Sequence, residues 1–234
     1  AKDGNPATLP SGPNTAISQD NPNLLVAATD GNVKYANNLV EISEGYVVKG
    51  DIDFSTGNVK YAKSVIVGGD IKSGFTIECG GDLQVSGTIE DATLNVGGVV
   101  LGKLGFIGQG KGIIESKGDV HLGFMKNQTI RCRNSVTIAR EAINSTIFAR
   151  KSITVLGNPL SVAGGTLCAR NFINVYAVGN KSGIKTMLEI GVDFTLLEEL
   201  EKTEKQIETI GQDCKKIITS YKKYDHLLKI KKKL

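Results

Sequence analysis

Residues Ile77–Gly102 read IECGGDLQVSGTIEDATLNVGGVVLG, and this stretch decides the fold. Ile77, Cys79, Leu83 and Val85 stand around Gly81, and the same order returns at Leu94, Val96, Val100 and Gly102 around Gly98. Every offset is even, so these residues share one face of an extended chain. A unit this short cannot bury its apolar face alone; it does so when stacked on copies of itself.

Working outward, an aliphatic anchor recurs at Ile52, Ile71, Leu83, Val100, Val120, Val136, Ile153 and Ile173, in steps of 19, 12, 17, 20, 16, 17 and 20 residues. Two residues before these anchors stand Gly50, Gly69, Gly81, Gly98, Gly118, Asn134, Lys151 and Asn171. All but Lys151 are types that tolerate positive φ, which predicts a corner there in each unit. Strand, corner, strand, repeated in coils, is a right-handed parallel β-helix. A sandwich does not require one corner residue type throughout, and a left-handed helix would keep a strict hexapeptide register. GNVKYA also occurs twice, at Gly31–Ala36 and Gly57–Ala62. The expected organisation is an N-terminal cap over 1–45, with a hairpin from Leu24 to Ile42 around Asp30–Gly31, then a β-helix over 46–191 and a helix over 192–234.

The last segment changes period. Leu196, Leu200, Thr203, Ile207, Ile210, Cys214, Ile217, Tyr221, Tyr224 and Leu228 follow a 4-3-4-3 spacing. This is the a/d seam of a coiled coil. Thr195 and Glu198 form a T-x-x-E capping box before it. Such a helix needs a partner, and a homo-oligomer through the seam is the expectation.

The chain of 234 residues carries a net charge of +4 and no Trp. It has no apolar run of about 18 residues, the length a membrane helix needs. It begins at Ala1 rather than Met, which reads as a piece or processed form of a longer protein. Cys79, Cys132, Cys168 and Cys214 form no C-x-x-C pair and sit among apolar residues, which predicts four buried, reduced thiols.

The strings Val47–Phe75 (VVKGDIDFSTGNVKYAKSVIVGGDIKSGF), Ile77–Ala92 and Met187–Phe194 (MLEIGVDF) resemble the flagellar assembly protein A family. The resemblance covers nearly the whole chain. It implies a bacterial cytoplasmic protein with a β-helix like that of bactofilins. It also implies work in flagellar assembly or at a cell pole through protein partners, and it supplies no catalytic residues.

Four features of the sequence bear on chemistry. Gly105–Gly112 (GFIGQGKG) nearly matches a phosphate-binding loop, but Gly112 replaces the metal-binding Ser or Thr. Asp51, Asp70, Asp82 and Asp119 share the slot before the anchor, where stacked carboxylates suit Ca²⁺ or turn formation. His121 sits one residue after an anchor, as a catalytic histidine of a β-helical acyltransferase would. Lys215–Leu234 holds eight Lys against one Asp, which suits a solvated helix face or contact with anionic lipid. Aromatic side chains for stacking on nucleic acid are scarce there. The expectation is a scaffold with no catalytic residue, metal or cofactor. A polymer-forming cytoskeletal protein and a carbohydrate-acting enzyme are the alternatives.

Overall fold

From Tyr46 onward the alternating strands wind through three faces per coil, so each inward residue meets its counterpart one coil away. The computed structural model describes residues 9–29, 31–43, 45–157, 162–181 and 183–231. The chain divides into two units, Ala1–Val192 and Asp193–Leu234. The first is mainly β, a parallel β-solenoid of about 8 turns.

Face one stacks in parallel from Tyr46–Val48 to Phe172–Val175, and its inward residues pair in the order Tyr46, Val65, Leu83, Val100, Val120, Val136, Ile153, Ile173. Face two is narrow and pairs through Ile52, Ile71, Ile89, Phe106, Met125, Ala142, Val162 and Val178. Face three runs from Val59–Tyr61 to Thr186–Ile190 through Ile77, Leu94, Ile114, Ile130, Ile147 and Leu167. These columns meet as one apolar core, most of it fully buried. Each buried Val, Ile or Leu contributes about 1.5–3 kcal/mol as an upper estimate.

The structure corrects the register of the first two anchors. Ile52 and Ile71 belong to face two, whereas the face-one partners that precede Leu83 are Tyr46 and Val65. Gly50-Asp51-Ile52 and Gly69-Asp70-Ile71 mimic Gly81-Asp82-Leu83, but they turn the next corner along. With Tyr46 and Val65 in place, the steps become 19, 18, 17, 20, 16, 17 and 20, and the irregular 12 disappears.

The reason for glycine at the corners also changes. None of Gly50, Gly69, Gly81, Gly98, Gly118, Asn134 and Asn171 has positive φ. Positive φ falls between faces two and three, at residues such as Gly74, Gly110, Asn127 and Asn144. The glycines of the other corners serve close stacking. A Cβ on Gly98 would meet the Asp82 carboxylate and lie 2.9 Å from the Gly81 carbonyl carbon, and one on Gly118 would lie 2.6 Å from Gly98. Gly50 meets nothing within 4 Å.

Two antiparallel hairpins precede the coils: β1 (Thr15–Ile17) with β2 (Leu25–Ala27), and β3 (Asn32–Ala36) with β4 (Leu39–Ser43). The β3–β4 turn is Asn37-Asn38, with φ of 52° and 61°, the positive pair a two-residue hairpin turn requires. The expected turn at Asp30–Gly31 is therefore displaced, and Asp30 itself lies outside the described residues. The first GNVKYA strand is half of this hairpin, while the second enters a parallel coil on face three. Identical sequence takes two sheet contexts, so this literal repeat is not a structural one.

The second unit holds one helix, α1 (Phe194–Lys231), of 38 residues. At 1.5 Å per residue it is about 57 Å long. Its cap is Asp193, not Thr195: Asp193 Oδ1 accepts the Thr195 backbone N–H at 3.1 Å and its hydroxyl at 2.6 Å. The Glu198 side chain of the expected capping box lies outside the described residues.

Candidate interaction surfaces

The corner carboxylates are tied to the backbone of the following coil. Asp51 Oδ1 accepts the N–H of Asp70, and Asp70 Oδ1 accepts that of Thr88, both at 2.8 Å. Asp82 Oδ1 accepts from Val99 at 2.7 Å and Asp119 Oδ1 from Ser135 at 2.9 Å. The four acids form two columns on different corners, not one stack. Lys72, 2.9 Å from Asp70, and the Thr88 N–H hold the Asp70 carboxyl below the usual carboxylate range. Among the described residues no group of acids, histidines and thiols is arranged to hold a metal ion.

The glycine-rich loop is a nest that the protein fills itself. Asp91 accepts the N–H groups of Gln109 and Lys111, at 2.8 and 3.0 Å, where a phosphate-binding loop would receive phosphate. Buried Gln128 donates to Asp91 at 2.7 Å and accepts the Gly112 N–H at 2.9 Å. Burial works to raise the Asp91 pKa, but the hydrogen bonds from Gln128, Gln109, Lys111 and Gly112 together outweigh it and hold the pKa down. The next element is the strand Ile113–Ser116, not a helix.

Cys79, Cys132 and Cys168 are buried, whereas Cys214 is exposed on α1, against the expectation of four buried thiols. Burial pushes Cys79 and Cys132 up to about 11. Cys132 and Ser116 both donate to the Gly118 carbonyl, at 3.1 and 2.9 Å, so this small-residue column also ties the corner. His121 lies exposed in the outward column of face one, between Leu101 and Thr137. A recess of about 410 Å³ near the first coil is lined by Gly45, Ala62, Lys63, Ser64, Gly80 and Gly81, a corner groove in which Lys63 is the one charged lining residue.

Three surfaces stand out. Lys117, Arg133, Arg150 and Arg170 each follow the face-three ladder residues Ser116, Cys132, Ala149 and Ala169, so they form an exposed cationic ridge over consecutive coils. Lys151 stands exposed beside it. At the last coil, Val178, Leu188 and Ile190 occupy core columns yet are exposed by 47%, 42% and 59%. On α1, Leu196, Leu200, Ile207, Ile210, Ile217 and Tyr221 are each more than half exposed. Tyr224 and Leu228 continue the seam in sequence, but their side chains lie outside the described residues.

Among the described residues no helix is long and apolar enough to cross a membrane. The family model for the Flagellar Assembly Protein A beta solenoid domain matches residues 44–233. No curated protein and no solved structure matches the chain.

Proposed function

The chain belongs to the flagellar assembly protein A β-solenoid family, and from that premise we propose that it is a non-catalytic scaffold that binds other proteins during flagellar assembly. The exposed apolar seam of α1 carries this reading. Apolar a and d positions left in water cost free energy that a partner helix recovers. Two of the features that suggested chemistry have structural employment instead: Asp91 fills the glycine-rich nest, and the Asp columns bind backbone. The solenoid, wound in the right-handed sense that parallel crossovers favour, supplies a stiff arm with a cationic ridge. The working site is the cytoplasm, at the cell pole where a flagellum is built.

The test replaces the native copy with an Ile207→Asp, Ile217→Asp variant in a flagellated host and counts flagella by electron microscopy. Loss comparable to gene deletion, with the solenoid melting unchanged, supports the scaffold. Normal flagella overturn it.

One observation favours a second reading, a bactofilin-like polymer. The uncovered core columns at Val178, Leu188 and Ile190 offer an end on which another solenoid could stack. Sedimentation of the full chain decides: filaments that dissolve on Leu188→Asp, Ile190→Asp substitution favour the polymer, and discrete particles in both remove it.

A further inference from the structure

Numbering α1 by heptads places its charges unevenly. With Leu200, Ile207, Cys214 and Tyr221 at a, and Leu196, Thr203, Ile210 and Ile217 at d, the flanking e and g positions hold Glu199, Glu204 and Asp213. The other flank positions from Leu197 to Ser220 are Leu, Gln, Gly, Ile and Ser. The lysines of this stretch, Lys202, Lys205, Lys215 and Lys216, all fall at b, c and f, away from the seam. Acids stand off the flanks as well, with Glu201 and Glu208 at b, and Lys216 at c lies 3.1 Å from Asp213, but no lysine of this stretch occupies a flank position. Flank charges choose the partner of a coiled coil.

Self-pairing gains nothing from these flanks. In a parallel dimer a g residue faces the e residue five positions on, so Glu199 meets Glu204 of the other copy. In an antiparallel dimer e meets e and g meets g. In neither orientation does an acid between Leu196 and Tyr221 meet a base. Gly211, at an e position, further weakens the helix by itself, since Gly in a helix interior costs about 1 kcal/mol.

We propose that the seam of α1 is built for a helix on a different polypeptide, one whose own e and g positions carry Lys or Arg, and not for a second copy of this chain. The proposal rests on the reading of the seam as a pairing surface and adds the charge of the partner. Its selectivity weakens with salt, because the flank pairs stay at the solvated rim.

The experiment uses the full chain and two synthetic heptad peptides with the same Ile/Leu seam, one with Lys at every e and g, the other with Glu. Light scattering of the chain alone is expected to give a monomer at micromolar concentration. Titration calorimetry is expected to give at least tenfold tighter binding of the Lys peptide. The preference should shrink between 50 and 500 mM NaCl and invert in the Glu199→Lys, Glu204→Lys, Asp213→Lys variant. Equal binding of both peptides overturns the charge selection while leaving the seam as a pairing surface. A stable homodimer that the triple substitution does not alter overturns the heterotypic partner. If neither peptide binds and the chain is monomeric, the pairing surface itself falls, and the proposal with it.

Discussion

Ile130 and Ile210 are the same residue in opposite circumstances. Ile130 sits in the face-three column with no surface exposed, while Ile210 sits on α1 with 62% exposed. Within the solenoid every coil supplies the cover for its neighbour, so the apolar pattern is satisfied by the chain's own repetition. Along α1 the apolar pattern is just as regular and is satisfied by nothing in its own unit. Regular apolar spacing thus has two outcomes: where coils stack it closes the core, and along α1 it stays exposed to solvent.

The largest expected effect tests this contrast directly. Ile130→Ala removes side-chain volume from a closed column and should cost about 2–5 kcal/mol of solenoid stability in urea unfolding. Ile210→Ala should change solenoid unfolding by less than about 0.5 kcal/mol, as surface substitutions do. If Ile210→Ala destabilises the solenoid as much as Ile130→Ala, the separation into a self-sufficient unit and a pairing helix is wrong.

A second contrast lies inside the solenoid. Gly98 and Gly50 share one sequence pattern, yet an added Cβ meets the preceding coil at Gly98 and open space at Gly50. Gly98→Ala should cost about 1–3 kcal/mol through overpacking. Gly50→Ala should be neutral or stabilise by about 0.4–1 kcal/mol, because it restricts the unfolded chain. Equal losses in thermal melts would restore a backbone-conformation reason for glycine at both sites.

These corners also mark what the sequence could convey. The period of the coils was legible because inward residues recur at even offsets from Leu83, Val100 and Val120. The slip at Ile52 and Ile71 arose because Gly-Asp-aliphatic serves two different corners, and only pairing across coils tells them apart. The cationic ridge had a signal: Lys117, Arg133, Arg150 and Arg170 each stand three residues before an anchor. That offset is odd, outside the even set that marks the core. The Asp91–Gln128 bridge spans 37 residues and carries no local pattern. The helix of α1 was legible from its 4-3-4-3 period, but its cap moved to Asp193, whose Oδ1 accepts both the backbone N–H and the hydroxyl of Thr195.

A smaller effect concerns acid. Hydrogen bonds to the nest hold Asp91 below its unfolded value of about 3.9. A depressed folded pKa means that the stability is fully present above the unfolded value and is lost as pH falls through the folded one. Asp91→Asn should therefore lower the melting temperature most near pH 7, with the gap to the wild type closing as pH falls below the unfolded value and through the lowered folded one. A gap that stays constant over this range would show that the carboxylate charge contributes nothing to the nest.

The smallest effect on stability gives the most direct view of the seam. Cys214 occupies an a position of α1 and is exposed, whereas Cys79, Cys132 and Cys168 are buried with raised pKa values. A thiol reagent at pH 8 should modify one thiol of the four rapidly and the other three only on unfolding, because reaction needs an accessible thiolate. Cys214→Ser should abolish the fast phase and leave the melting temperature unchanged. When a partner helix covers the seam, the fast phase should slow in proportion to occupancy. Unchanged Cys214 reactivity in a complex known to have formed would place the contact elsewhere, on the cationic ridge or the open last coil, and would leave the regularity of the α1 pattern without a cause.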